Sequence, residues 1–449
     1  MKFTSHAENA PLPRRGGMAR GALAGFVGEG TGLVCAVVAI ALLARHLGPE
    51  AFGVFGLAAA ASAAFGWSLA PLLSRAALVL VPVAKDPLGT AGTLLRACLR
   101  WGFAGWLIFA LAGLLAGQIL EMPLLLTSFA VAGSEVLLLA LSRLYRGVLT
   151  ATGDYVAPGI GAGLFHAARL GAVVAVILAG GGAVAALAAI AVARLGEIAW
   201  YRTRIRLPLG RDGPMVDLAG IAGSSLVQSV SIQLFNRVDI LLLAALGTAA
   251  GAVGWYAAAQ HVAVIPALVA GVVAPMATVA LARGKDGGDF DRLDRRTDQV
   301  AASGLILFVA AIGAAPPFVP VLFGPDFVPA APLFAWLALG GAGAWLNALG
   351  SGRWAAAGSM RVPAALSTLA LLVAVPAHLL AIPEYGPIAA ALVTSLAGGG
   401  AGLAIHLSAP GRSAGRAVLT AVALGLGALA ALVLNRGIAS TLAALGWAA

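Results

Sequence analysis

Charge is what this chain has least of: only 10% of its 449 residues are Asp, Glu, Lys or Arg, against 61% hydrophobic. A soluble domain cannot hide that much apolar surface, so lipid must be the solvent. Acid is scarcer than base, 18 residues against 28. The resulting formal charge of +10 would suit nucleic acid only on a basic face interleaved with aromatics, and the basic segments have few. Nucleic acid is excluded as a partner. Cysteine is nearly absent, and Cys35 and Cys98 lie in or beside apolar runs, so neither a disulfide nor a metal site is expected. There is no Asn-x-Ser/Thr sequon, no Walker A loop, no Gly-x-Ser-x-Gly elbow and no His/Cys cluster with metal spacing. The loops between apolar runs are too short to hold a soluble active site. The chain is read as a non-enzyme without cofactor or metal.

What is present is apolar sequence in span-length blocks. Twelve runs long enough for a bilayer of about 30 Å extend from 21–44 to 387–406, and a thirteenth covers 417–435. The first twenty residues are polar, and the run after them is long enough to be a retained span. With the N-terminus inside, the inner segments collect nearly all the base. They hold Arg14 and Arg15, Arg75 and Lys85, Arg143 and Arg146, Arg194 to Arg211, Arg283 to Arg296, and Arg353 and Arg361. The outer loops keep only Arg45 and, after the last span, Arg436. The opposite orientation would invert the positive-inside rule, so a multi-pass protein of the cell's inner membrane with a cytoplasmic N-terminus is expected. The segment Ser74 to Arg100, with Pro82 and Pro87, is expected along the inner surface. Pro266, Pro275, Pro316, Pro317 and Pro320 predict bends or unwound turns.

One pattern occurs twice. Leu42 to Ala60 reads LLARHLGPEAFGVFGLAAA, and about two hundred residues later Leu242 to Ala259 reads LLAALGTAAGAVGWYAAA. Each copy ends an apolar helix at Leu-Gly, makes a short loop, and opens another helix with Gly and two large apolar residues. Gly48 corresponds to Gly247 and Gly53 to Gly254. The repeat predicts an all-α polytopic protein of two six-helix bundles related by a pseudo-twofold axis along the membrane normal, plus one or two extra C-terminal helices. The organisation read from it is a tail at 1–20, an N-terminal lobe at 21–206, an inter-lobe loop at 207–218, a C-terminal lobe at 219–407, and a further span and tail at 408–449.

Polar groups at membrane depth are expensive, so each is a functional candidate. Ser225, Ser229, Gln233, Asn236 and Arg237 form one stripe on span 7, with Gln228 beside it. A stripe of five predicts a water-filled cavity wall, against the plainer reading of helix–helix glue. His166 and Arg169 share a face of span 5, and Arg169 needs an anion from elsewhere. That anion is Glu29 of span 1, Glu135 of span 4, or a substrate phosphate gripped by the guanidinium fork. Glu29, Glu135 and Asp239 are candidates for ion coupling, each weighed against a satisfied structural acid. Gln260, His261 and Asn347 are weaker cavity candidates. His378 is read as interfacial.

These residues resemble a family. The first hairpin is similar to that of polysaccharide flippases in the multidrug/oligosaccharidyl-lipid/polysaccharide exporter (MOP) superfamily. Asn236 to Ala259, NRVDILLLAALGTAAGAVGWYAAA, resembles their span 7–8 region, and Val321 to Leu339, VLFGPDFVPAAPLFAWLAL, their span 9–10 connection. The resemblance implies two six-helix lobes, a cationic central cavity and alternating access. It implies a lipid-linked oligosaccharide as cargo, membrane lipids as surroundings, and a polysaccharide polymerase and glycosyltransferases as partners. On this reading Arg169, Arg237, His166, Gln233, Asn236, Ser229 and Asn347 contact cargo. Glu29, Glu135 and Asp239 couple an ion. A cation-coupled multidrug exporter of the same superfamily and a non-transporting scaffold for glycan assembly are the alternatives.

Overall fold

A computed structural model of the chain describes residues 15–119, 124–209, 218–263 and 290–410. The thirteenth apolar run, Pro266, Pro275 and the side chain of Ser225 lie outside the described residues. All described secondary structure is helical, as lipid requires of a backbone that must satisfy its own hydrogen bonds. Among the described residues ten helices follow one another: α1 (Arg15–Leu80), α2 (Pro87–Ile119), α3 (Leu124–Ala151), α4 (Ala157–Leu178), α5 (Ala183–Arg204), α6 (Leu218–Ala245), α7 (Ala250–Ala263), α8 (Phe290–Phe323), α9 (Ala330–Ala356) and α10 (Arg361–Leu407). Eight helical stretches among them are long and apolar enough to cross a membrane. The chain is a multi-pass membrane protein.

Two helices are folded in half. A straight α1 would be about 100 Å long at 1.5 Å per residue, but it breaks at Gly48 (φ 70, ψ 172). Gly21 and Gly28 lie against Tyr155 and Gly159 at the start of α4, while Ser74 and Ala77 lie against Gly147 near the end of α3. The turn joining α3 to α4 is short, so both ends of α1 are at one end of the molecule. α10 breaks likewise at Gly386 (φ 59, ψ −142). His378 and Thr394 meet across that fold, with Nε2 3.2 Å from Oγ1. Each folded helix thus supplies two rods, and twelve rods correspond to the twelve apolar runs.

The proline-bearing segments take these local forms. Ser74 to Leu80 completes α1, Val81–Val83 is a 3-10 turn, and Pro87 opens α2, where a missing N–H costs nothing. Ala91, Leu94, Leu95 and Cys98 are buried with Leu73, Tyr145 and Tyr201, so one face of this segment packs into the lobe core while Val83 and Leu88 stay exposed. α8 also stays helical through Pro316, Pro317 and Pro320. Packing of Val319 and Phe323 into the large core holds those last turns.

α1 to α5 pack as one lobe and α6 to α10 as the other, with α1 reaching α6, α7 and α8 across the divide. The repeat makes that crossing. Gly48 and Gly247 both turn with positive φ, 70° and 77°, a backbone state that favours glycine. Beyond the turns, Gly53 and Gly254 meet backbone to backbone. A Cβ on Gly53 would stand 2.1 Å from the Ala250 carbonyl oxygen, and one on Gly254 1.9 Å from that of Pro49. Phe52, Phe55, Tyr256, Phe323 and Phe327 close over the crossing in a core drawn from both lobes.

Arg45, the exception to the charge pattern, has its place here. Its Nε donates to Leu322 O at 3.0 Å and its Nη2 to Val321 O, capping the end of α8 from the other lobe. Trp255 Nε1 adds a bond to Asp326 O at 2.9 Å. At the opposite end the cores are separate, one around Leu94 and Tyr145 and the other around Phe308 and Trp345. The lobes are therefore latched at the hairpin end.

Candidate functional site

Inside the first lobe, the apolar sequence of α5 is interrupted by Arg194 and Glu197, one helical turn apart. Arg194 donates through Nε and Nη2 to Glu135 Oε1 on α3, at 3.0 and 2.7 Å, and through Nη1 to Glu197 Oε2 at 2.7 Å. Its guanidinium lies 3.5 Å from the centroid of the Phe165 ring on α4. Glu197 also accepts from Ser142 Oγ at 2.8 Å and from Tyr201 OH at 2.9 Å. One buried cation thus ties α3, α4 and α5 together. The sequence reading grouped Arg194 with the inner basic residues; the structure puts it mid-helix, because two carboxylates are there to neutralise it. The i,i+3 Arg–Glu spacing within an apolar helix was the available signal.

Nearer the basic end, Arg146 Nη2 donates to Glu29 Oε1 at 2.9 Å, joining α3 to α1. Arg143, one turn before, stacks over the Trp67 ring at 4.4 Å. His166 sits so close to α1 that a Cβ on Gly32 would be 2.4 Å from its Nε2. One turn on, Arg169 shares the Phe165 ring at 5.8 Å. Arg169 Nε and Nη2 are enclosed, and neither has a hydrogen-bond partner.

The second lobe is organised around an acid. Asp239 on α6 is fully buried. Its Oδ2 accepts from Tyr256 OH at 2.5 Å, Gln260 Nε2 at 3.0 Å and Thr394 Oγ1 at 3.0 Å, so α7 and α10 are both tied to it. His378 stands behind Thr394 and is fully buried, which corrects its expected interfacial place. The fold at Gly386 turns it into the bundle, where Nδ1 bonds Ala374 O at 2.7 Å. Arg237, two residues before Asp239, reaches Gln260 Oε1 at 3.3 Å and, among the described residues, no carboxylate, and its Nε is enclosed without a partner.

The rest of the predicted stripe divides. Ser229 and Gln233 are half-buried on α6. The Asn236 carbonyl accepts from Gln260 Nε2 at 3.1 Å. Gln228 is buried and donates to Ser351 Oγ at 2.7 Å, which donates in turn to Asn347 Oδ1 at 2.9 Å. This chain is the counterpart of the Glu29–Arg146 pair. Gln228 precedes Gly247 by the same interval as Glu29 precedes Gly48, and Ser351 and Arg146 stand equally far from the ends of α9 and α3. An ion pair in one lobe is a neutral hydrogen bond in the other.

Two arginines with enclosed guanidinium nitrogens that make no hydrogen bond, Arg169 and Arg237, come from opposite lobes. His261 on α7 is within electrostatic reach of both Arg237 and Arg169, and its ring also meets that of Phe52 at 6.3 Å. The fold therefore brings Arg169, Arg237 and His261 into one region below the latch. Among the described residues, no group of three or more His, Cys, Asp or Glu side chains is placed to hold a metal.

No family model and no curated protein sequence matches the chain. Solved structures do, and they define its architecture as the two-lobe helical fold of MOP-superfamily transporters. The lipid II flippase MurJ in an inward closed conformation aligns over 94% of this chain and 99% of its own, with a TM-score of 0.61 and 14% identity. An outward-facing multidrug resistance transporter of the MATE family aligns over 91% of this chain and 96% of its own, at 0.59 and 15%. A MOP-superfamily transporter from Pyrococcus furiosus Vc1 (DSM3638), described by the reverse polarity of its binding pocket, aligns over 91% and 96%, at 0.62 and 13%.

Proposed function

We propose that this protein moves an anionic, lipid-linked cargo across the cell's inner membrane by alternating access, and that the cargo is a polyprenyl-diphosphate-linked oligosaccharide for surface polysaccharide synthesis. The observation that carries the reading is the pair of guanidinium groups with enclosed nitrogens and no carboxylate bond, Arg169 and Arg237, one from each lobe. In a low-dielectric interior an unpaired cation costs several kcal/mol, so the region is organised to receive an anion. Arginine suits phosphate because its donors grip two oxygens at once. The MurJ-like fold supports a lipid-linked cargo. A cationic drug would instead call for acid facing the lobe interface, where Asp239 is already saturated by three neutral donors.

In this scheme His166, Ser229, Gln233, Asn236 and Asn347 line the path beside the two arginines. Asp239 is the coupling acid of the second lobe, and Glu29 serves the first. The hairpin end is the outer end, because the basic segments mark the cytoplasmic side. The latch of Gly53, Gly254 and Arg45 then holds the outer side shut. Opening it requires one lobe to rock against the other about the α1 crossing.

Proteoliposomes test the substrate class. A fluorescent polyprenyl-diphosphate sugar placed in one leaflet should become accessible to an impermeant quencher in the other when the protein is present. Export of an organic cation such as ethidium, with no movement of the lipid, would decide for a multidrug exporter. No transport of either, with glycan enzymes retained on the protein, would decide for a scaffold.

A further inference from the structure

Glu135 is held on one side only. Arg194 directs Nε and Nη2 at the same oxygen, Oε1, and the other oxygen, Oε2, is enclosed with no partner. Arg169 shows the converse, with its Nε and Nη2 edge enclosed and empty-handed. The two groups are within electrostatic reach of each other, and both arginines lie against Phe165. An orphaned carboxylate oxygen and an orphaned two-donor guanidinium edge, opposite in charge and close together, are complementary.

We infer that Glu135 is a built-in counter-ion that competes with the cargo for Arg169. Without cargo, the Arg169 edge turns to Glu135 Oε2. An arriving phosphate takes that edge, and Glu135 is left to Arg194. Arg194 keeps its bond to Glu197 throughout, so the lobe stays neutralised while Arg169 changes partners. Glu135 then sets the affinity threshold: an anion must outcompete a carboxylate already in place, which discriminates against weakly charged head groups and assists release. This inference rests on the reading of the Arg169–Arg237 region as an anion site.

The test is a titration of geranylgeranyl diphosphate into the full-length protein in nanodiscs. Glu135→Gln retains shape and an acceptor for Arg194 but removes the competing charge, so it should bind the probe about tenfold tighter than wild type. Combining it with Arg169→Gln should abolish the gain. Glu135→Asp keeps the charge on a shorter arm and should tighten binding by about threefold, a second route if the Gln variant does not fold. Unchanged or weaker binding in both Glu135 variants, alongside loss of binding in Arg169→Gln, overturns the inference and leaves the anion site standing. Unchanged binding in Arg169→Gln and Arg237→Gln overturns both.

Discussion

The two lobes repeat one frame but differ in how each holds the acid beside the lobe interface. In the first, four arginines (Arg143, Arg146, Arg169, Arg194) share the interior with three glutamates (Glu29, Glu135, Glu197), and ion pairs join α3 to α1 and to α5. In the second, one ion pair, Arg353–Asp298, joins α9 to α8, but Asp239 is satisfied by a tyrosine, a glutamine and a threonine, and the counterpart of the Glu29–Arg146 pair is Gln228 with Ser351. A duplicated scaffold constrains helix packing, but it leaves the chemistry of each lobe free to diverge. Each lobe also holds an arginine with enclosed, unbonded guanidinium nitrogens within electrostatic reach of His261, Arg169 from the first and Arg237 from the second. That shared feature, and not either internal network, points to the cargo.

The comparison can be broken hardest at Arg194. Replacing it by Gln strands Glu135 and Glu197 in a low-dielectric core, and should cost about 3–5 kcal/mol of stability. A steep fall in melting temperature in detergent is the expected result. Neutralising both acids as well, with Glu135→Gln and Glu197→Gln, should recover much of the loss. A variant as stable as wild type would mean that the first lobe does not depend on charge pairing.

The shared frame is the next target. Gly254→Val forces a side chain into the 1.9 Å approach to the Pro49 carbonyl, at a cost of about 1–3 kcal/mol. The latch should fail to close. Chemical labelling of a cysteine introduced near the crossing should become faster, and transport should be lost. Asp239→Asn tests the neutral strategy of the second lobe. Because its partners are hydrogen-bond donors and not cations, removing the charge should cost only about 1 kcal/mol, well below Arg194→Gln, while uncoupling transport from the ion gradient. Smallest of all, Glu29→Gln gives the first lobe the residue found at the matching place in the second. This pair is partly open to its surroundings, with side-chain exposures of 38% and 19%, so the change should stay under about 1 kcal/mol.

How much of this was legible in the sequence follows from the range of the interactions involved. The span pattern and the duplicated hairpin were readable because they are local: apolar runs of fixed length and a Leu-Gly turn are printed in consecutive residues. Even the candidates Arg169, Arg237, Glu29, Glu135 and Asp239 were readable, since an ionisable residue within an apolar run needs no partner to be noticed. Pairing was not. Arg194 binds Glu135 from 59 positions away, and Thr394 reaches Asp239 from 155. Within α5 only the Arg194–Glu197 spacing hints at a buried clamp, and it does not name Glu135. His378 was misplaced for a related reason, because only the fold at Gly386 decides that it faces Thr394 and not the interface.

The most direct test of the central claim is a double-mutant cycle on binding of geranylgeranyl diphosphate in nanodiscs, using Arg169→Gln, Arg237→Gln and the pair. If both lobes grip one anion, each single change weakens binding about tenfold, and the double change weakens it far less than the product of the two. Independent, multiplicative losses, or no loss in either single variant, would contradict a shared anion site between the lobes.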